Sequence, residues 1–256
     1  MTFVTLQRAA AITVTAAGLA LCCCQDDITL PETGGAAVGE CGAFYPGGGE
    51  PDAGTAYGSN LGETLPCFVW ESVRAGAQET GADPAAYANA YLSMGEIFLK
   101  SKNPGMSELL EAQFGVAEAR IILFPIVAEN CSGCPELLGR VVTSIPELEA
   151  AGAVVVGVAS FSSNDTEPDA DAMDLVAADG ILINDGFVET HYRTNDPEHY
   201  LGTNGSFGEG FPQILAVRVS DMVVAVRGIP QTYYAAEGGG LDVAKLVADL
   251  EAFSAP

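Results

Sequence analysis

Two stretches of this chain are apolar without interruption: residues 121–127, Ile-Ile-Leu-Phe-Pro-Ile-Val, and residues 153–159, Ala-Val-Val-Val-Gly-Val-Ala. Runs of this length read as buried strands. Between them, residues 131–150 carry Leu137, Leu138, Val141, Val142 and Ile145 at helical spacing, so the segment reads as an amphipathic helix. Pro135 falls in the first turn, where a missing N–H is tolerated, and Gly152 supplies the stop. Strand, helix and parallel strand make a βαβ unit, which should cross over right-handed.

The same reading extends outward. Residues 65–70 form a short opening strand. Residues 84–100 form a helix candidate with Pro84 at its start and Tyr87, Tyr91, Met94, Phe98 and Leu99 near the helical period. Residues 106–113 suit another short helix. Residues 168–178 suit a further one, stopped by Gly180, and residues 181–183 a short extra strand. Residues 213–219 and 222–227 pair as a hairpin across Ser220-Asp221, and a last amphipathic helix runs over about 241–253.

The chain has 256 residues, 48% of them hydrophobic, enough for a well-buried core in one or two domains. Its formal net charge of −24 repels nucleic acid and anionic lipid, so neither is expected as a partner through a basic patch. The acidic excess is spread along the chain and reads as a solvated surface.

The first residues read as a targeting signal. Arg8 precedes an apolar stretch, 9–21, too short to span a membrane comfortably. It ends at Cys22-Cys23-Cys24, a cluster similar to a bacterial lipobox, although Leu21 stands where a small residue is usual before Cys22, and Cys22 and Cys23 stand where small residues are usual before Cys24. Residues 1–24 are therefore expected to be a signal peptide, with Cys22 or Cys24 the lipidated residue. Residues 25–60, rich in Gly, Pro and acidic side chains, are expected to be a flexible tether. The ordered domain is expected over 61–256, outside the cytoplasm.

The most informative motif is Cys131-Ser132-Gly133-Cys134, between the first buried strand and its helix. A helix N-terminus favours thiolate at the first cysteine, and the second is close enough to close a small disulfide ring. With three cysteines at the signal junction and two in this motif, Cys41 and Cys67 are left, and an oxidising compartment makes them a candidate structural disulfide.

Strand, CxxC, helix, strand, helix, hairpin and helix follow in the order of the thioredoxin fold. The chain resembles the extracytoplasmic thiol-disulfide branch of the redoxin and alkyl-hydroperoxide-reductase-like group. The segments that carry the resemblance are residues 62–68 (Gly62, Pro66 and Phe68), residues 124–138, and Phe211-Pro212-Gln213 before a strand. It implies an α/β thioredoxin-like fold over roughly 61–256: a central mixed sheet flanked by helices, with an N-terminal extension and an insertion around 180–210. It implies Cys131 as nucleophile, Cys134 as resolving thiol, and Phe211-Pro212 as a substrate-side loop with a cis proline. It also implies no cofactor or metal, with protein thiols or disulfides and an upstream electron donor or acceptor as partners. The chain departs from the group at Asn130, where Trp is usual, and at Ser132-Gly133 between the thiols.

Two rivals share the fold. A peroxidatic cysteine needs a Pro-x3-Thr/Ser-x2-Cys frame, but Pro125 is six residues before Cys131 and Glu129 is no hydroxyl. Copper-delivery proteins use CxxxC-Pro with a distant His. Cys134-Pro135 matches the second half, but the spacer is one residue short. Two thiolates and a loop His would still suit Cu(I). Glu129, His191 and His199 otherwise read as ordinary loop residues, as does Asn130.

Overall fold

The computed structural model describes residues 37–38, 44–46, 58–70, 73–75, 92–103, 116–128, 131–160, 174–175, 178, 180–184 and 211–254. In chain order these contain β1 (Ala37–Val38), β2 (Phe68–Trp70), β3 (Val73–Ala75), β4 (Leu92–Ser93), α1 (Met94–Lys102), β5 (Ile121–Ala128), α2 (Cys134–Ala150), β6 (Ala153–Ser160), β7 (Ile181–Asn184), β8 (Gln213–Arg218), β9 (Val223–Gly228), a 3-10 turn (Pro230–Tyr233) and α3 (Val243–Ala252).

The main sheet has six strands in the order β3-β7-β6-β5-β8-β9. β5, β6 and β7 run parallel, whereas β8 and β9 close the other side antiparallel. Strand, helix and parallel strand, then hairpin and helix, are the α/β thioredoxin-like arrangement the sequence predicts. β5 lies inside the sheet because it is apolar on both faces. Ile122, Phe124 and Ile126 point into one core cluster, with Met94, Ile97 and Tyr45. Ile121, Leu123 and Val127 point into the other, with Leu137, Val141 and Leu148 of α2 and Leu246 and Leu250 of α3. A strand covered on both sides needs such a continuous apolar run. Pro125 is tolerated in it: β5 pairs with β8 through this stretch, and the β5–β6 pairs skip from Leu123 to Ile126.

α2 packs its Leu137, Leu138, Val141, Ile145 and Leu148 stripe on the sheet. It ends at Gly152, whose φ of 77° no ordinary side chain adopts cheaply, and whose N–H returns to the Glu149 carbonyl at 2.8 Å. α3 is capped by Asp242, whose side chain accepts from the Lys245 N–H.

Two expectations change. The helix expected over 84–100 begins at Met94. Ser93 caps it by accepting the Glu96 N–H, and Leu92–Ser93 pairs with β2 as a strand instead. Residues 84–91 lie outside the described residues. The tether expected over 25–60 is ordered in part. Ala37–Val38 pairs with β2, and Tyr45 is 1% exposed, its hydroxyl donating to the Leu65 carbonyl at 2.8 Å. The short extra strand expected over 181–183 is present: Ile181–Asn184 adds beside β6 as a third parallel strand and opens the insertion expected around 180–210. Its remainder, 185–210, lies outside the described residues, as does the helix expected over 106–113.

Candidate active site

Cys131 and Cys134 are joined by a disulfide at the point where β5 leaves the sheet and α2 begins. Two sequence features place them there. The apolar run 121–128 ends inside the sheet, so the chain emerges at the carboxyl end of a central strand. Pro135, in the first turn of α2, then fixes the start of the helix. The Cys134 N–H donates to the Cys131 carbonyl at 3.1 Å, and Leu137 N–H to that of Gly133 at 3.3 Å. Gly133 is the N-cap and brings no side-chain acceptor.

The two sulfurs stand in different surroundings. Cys134 is 3% exposed and belongs to the core under α2, with Leu137 and Leu138. Cys131 is half-buried at the edge of the same cluster. Cys131 is therefore the more accessible residue of the pair.

Across from the pair stands the loop before β8. Gln213 pairs with Ile126, so the chain just before β8 lies beside the chain just after β5. The Phe211–Pro212 peptide is cis. A Cβ placed on Gly133 would lie 3.2 Å from Pro212 Cδ, so the absence of a side chain at 133 lets the proline approach the residue between the cysteines. Phe211 is half-buried and packs against both core clusters, which anchors this loop. Residues 80 positions apart in sequence thus share one surface.

A second cluster flanks the helix start. Glu136 in the first turn of α2 pairs with Arg140 at 3.0 Å. The Arg140 guanidinium lies over the Tyr234 ring, 4.1 Å from its centroid. Burial, then the charge of Glu136, push the Tyr234 phenol above its ordinary pKa, and Arg140 pulls it back. Sequence reasoning missed this cluster. The i,i+4 spacing of Glu136 and Arg140 is a legible signal, but nothing in the sequence brings Tyr234 to them.

Cys67 is 1% exposed and disulfide-bonded. Its expected partner Cys41 lies outside the described residues, as do Cys22, Cys24, Glu129, Asn130, His191 and His199. Among the described residues no group of three or more His, Cys, Asp or Glu is arranged to hold a metal. A cavity of about 300 Å³ lies at the opposite end of the sheet, where β5 begins, lined in part by Lys102, Arg120, Arg218 and Glu251. Its cations are engaged: Arg218 by Asp221 at 2.7 Å, Arg120 by Glu251 at 3.6 Å, and Lys102 by the Ser220 carbonyl at 2.7 Å. It is remote from the thiols.

No protein-family model matches this chain, and no curated protein matches it. Among solved structures, it is similar to a thiol:disulfide interchange protein from Bacteroides sp., at 13% identity and a TM-score of 0.36, covering 66% of this chain and 80% of that one. It is also similar to the thioredoxin domain of a thiol-disulfide oxidoreductase from Bacteroides vulgatus, at 13% identity and a TM-score of 0.34, covering 66% of this chain and 90% of that one.

Proposed function

We propose that this protein is an extracytoplasmic thiol-disulfide oxidoreductase that exchanges the Cys131–Cys134 disulfide with cysteines of protein substrates. The observation that carries the reading is a disulfide between the half-buried Cys131 and the buried Cys134, at a helix start and beside a cis-proline loop.

In the reducing direction, the Cys131 thiolate attacks one sulfur of a substrate disulfide. A Cys131–substrate S–S bond forms, the substrate's own S–S bond breaks, and its second sulfur leaves as a thiolate. Cys134, deprotonated, then attacks the Cys131 sulfur. The Cys131–Cys134 bond forms and the substrate leaves as a dithiol. Two electrons pass to the substrate, and the protons lost by the two thiols end on its sulfurs. Run backward, the same steps oxidise a dithiol. Phe211 and Pro212 hold the substrate backbone beside Cys131 in either direction. An upstream dithiol or disulfide partner resets the pair.

Two variants test the roles. Cys134→Ser should accumulate a mixed disulfide through Cys131, visible by intact mass, whereas Cys131→Ser should not. A wild-type pair that neither dithiothreitol nor glutathione reduces in the folded protein would make the disulfide an inert bridge and end the reading.

Attachment to a membrane through lipid on the Cys22–Cys24 cluster completes the proposal. No helix among the described residues is long and apolar enough to cross a membrane. Because β1 begins at Ala37, the proposed tether reduces to residues 25–36. Changing Cys22, Cys23 and Cys24 together to Ser should release the protein into the soluble fraction, and continued membrane association would refute the lipid anchor.

A further inference from the structure

Glu136, Arg140 and Tyr234 take no part in the exchange steps, yet they are fixed beside the helix that starts at the thiols. An exposed i,i+4 ion pair on a helix is ordinarily loose and contributes little. This one is not loose. Arg140 Nε and Nη2 both reach Glu136 Oε1, at 3.1 and 3.0 Å. Arg140 Nη1 donates to the Gly240 carbonyl at 3.2 Å, and the guanidinium rests on the Tyr234 ring. The Tyr234 hydroxyl oxygen is buried and has no hydrogen-bond partner among the described residues. The ring packs against the core cluster beneath α2 and lies under Arg140. The arginine side chain is 22% exposed and the glutamate 56%. Contacts with Glu136, the Gly240 carbonyl and the Tyr234 ring hold one cation against the carboxylate of Glu136.

Glu136 stands two residues after Cys134, in the first turn of the helix that begins at the thiols. The free N–H groups of a helix N-terminus favour a thiolate beside them. A carboxylate in the same first turn opposes that thiolate, and a cation held against the carboxylate restores the balance. We propose that the Glu136–Arg140 pair, held in place by Tyr234, sets the redox potential of the Cys131/Cys134 couple. The inference rests on the exchange reaction proposed above. In the half-reaction the disulfide takes two electrons and one proton to give the Cys131 thiolate and the Cys134 thiol. The electrons come from two glutathione thiols, which become glutathione disulfide; of their two protons one goes to Cys134 and the other to solvent. A change that favours the thiolate stabilises the reduced protein and raises the potential; a change that disfavours it lowers the potential. Among the described residues, the charged and titratable groups of this cluster are Glu136 and Arg140 of α2 and Tyr234 from the segment after the 3-10 turn.

The test is a redox titration of the full chain against glutathione and its disulfide, with Glu136→Gln, Arg140→Met, Arg140→Lys and Tyr234→Phe. Glu136→Gln should shift the equilibrium about threefold toward the reduced protein, about +14 mV at 29.6 mV per tenfold for two electrons. Arg140→Met should shift it the other way by a similar factor. Arg140→Lys keeps the charge and should stay near wild type. Tyr234→Phe keeps the ring and should not move the potential. Both shifts should shrink in 1 M salt, where screening reaches only about 3 Å. A purely structural ion pair would change thermal stability and leave the potential alone. Glu136 is largely exposed, so its variant decides the matter even where Arg140→Met folds poorly. If wild type equilibrates with glutathione and Glu136→Gln gives the same potential or the opposite sign, the tuning role falls and the exchange reading stands. If wild type does not equilibrate at all, the exchange reading itself falls.

Discussion

The helix that carries the thiols contains one glycine it does not need and is closed by one it cannot replace. Gly139 lies in the interior of α2, exposed, and a Cβ built there meets nothing within 4 Å. Alanine at an exposed helix-interior position is worth about 0.8–1 kcal/mol over glycine, because glycine loses more backbone entropy on folding. The Thr143 hydroxyl donates to the Gly139 carbonyl at 2.8 Å, a backbone acceptor that the substitution leaves in place. Gly139→Ala should therefore stabilise the protein by about 1 kcal/mol, or about 2–4 °C in Tm for a domain of this size. Gly152 has φ of 77°, and a Cβ there would sit 2.6 Å from the Glu118 carbonyl oxygen. The left-handed backbone alone costs alanine about 1–2 kcal/mol. The clash is with backbone, which cannot swing away, and overpacking of that kind adds about 1–3 kcal/mol. Gly152→Ala should thus destabilise by roughly 2–5 kcal/mol. Urea unfolding of the two oxidised variants, followed by far-UV circular dichroism with a common m-value, measures both. Shifts of the same sign, or a Gly152→Ala loss under 1 kcal/mol, would refute the argument that conformation, not chemistry, selects these two glycines.

Other expectations follow from the same geometry. Gly133→Ala would place a Cβ 3.2 Å from the Pro212 ring, so the loop must back away; turnover of a disulfide substrate should fall several-fold while Tm changes little, and unchanged turnover would show that the close approach is incidental. Arg218→Met removes the bonds to Asp221 and to the Leu250 and Phe253 carbonyls near the end of α3, and should cost about 1–3 kcal/mol in urea unfolding. Burial, and then the Asp249 side chain, hold the Tyr233 phenol up at about 12. A phenol raised in the folded state contributes stability that is full below its unfolded pKa of about 10 and lost as pH climbs toward 12. Stability should decline across that window, and Tyr233→Phe should remove that part of the slope. Tyr234→Phe deletes a buried hydroxyl that has no hydrogen-bond partner among the described residues and should stabilise by about 1 kcal/mol.

The sequence by itself determined the elements whose patterns are local. The runs at 121–128 and 153–160 have no reading except buried strands, since each sends alternate residues into two apolar clusters. The stripe on α2, the stop at Gly152 and the hairpin at 213–228 are also nearest-neighbour facts, visible wherever period and turn chemistry agree. Cys131 and Cys134 were legible for the same reason: spacing and helix start are enough to define a small ring. What lay beyond reach was long-range. Val73–Ala75 is too short to carry a period, and only pairing with Ile181–Asn184 makes it a strand. The helix start moved from Pro84 to Met94 because Leu92–Ser93 found a partner in β2, a contact that overrides local propensity. The burial of Tyr45 depends on the carbonyl of Leu65, 20 residues away. The approach of Pro212 to Gly133, and of Tyr234 to Arg140, depends on β8 lying beside β5 and on the chain after β9 returning across α2. Periodicity records which face a residue buries, but not which distant residue buries it; that choice belongs to the packing of the whole sheet, and it alone brought the second half of the site to the first.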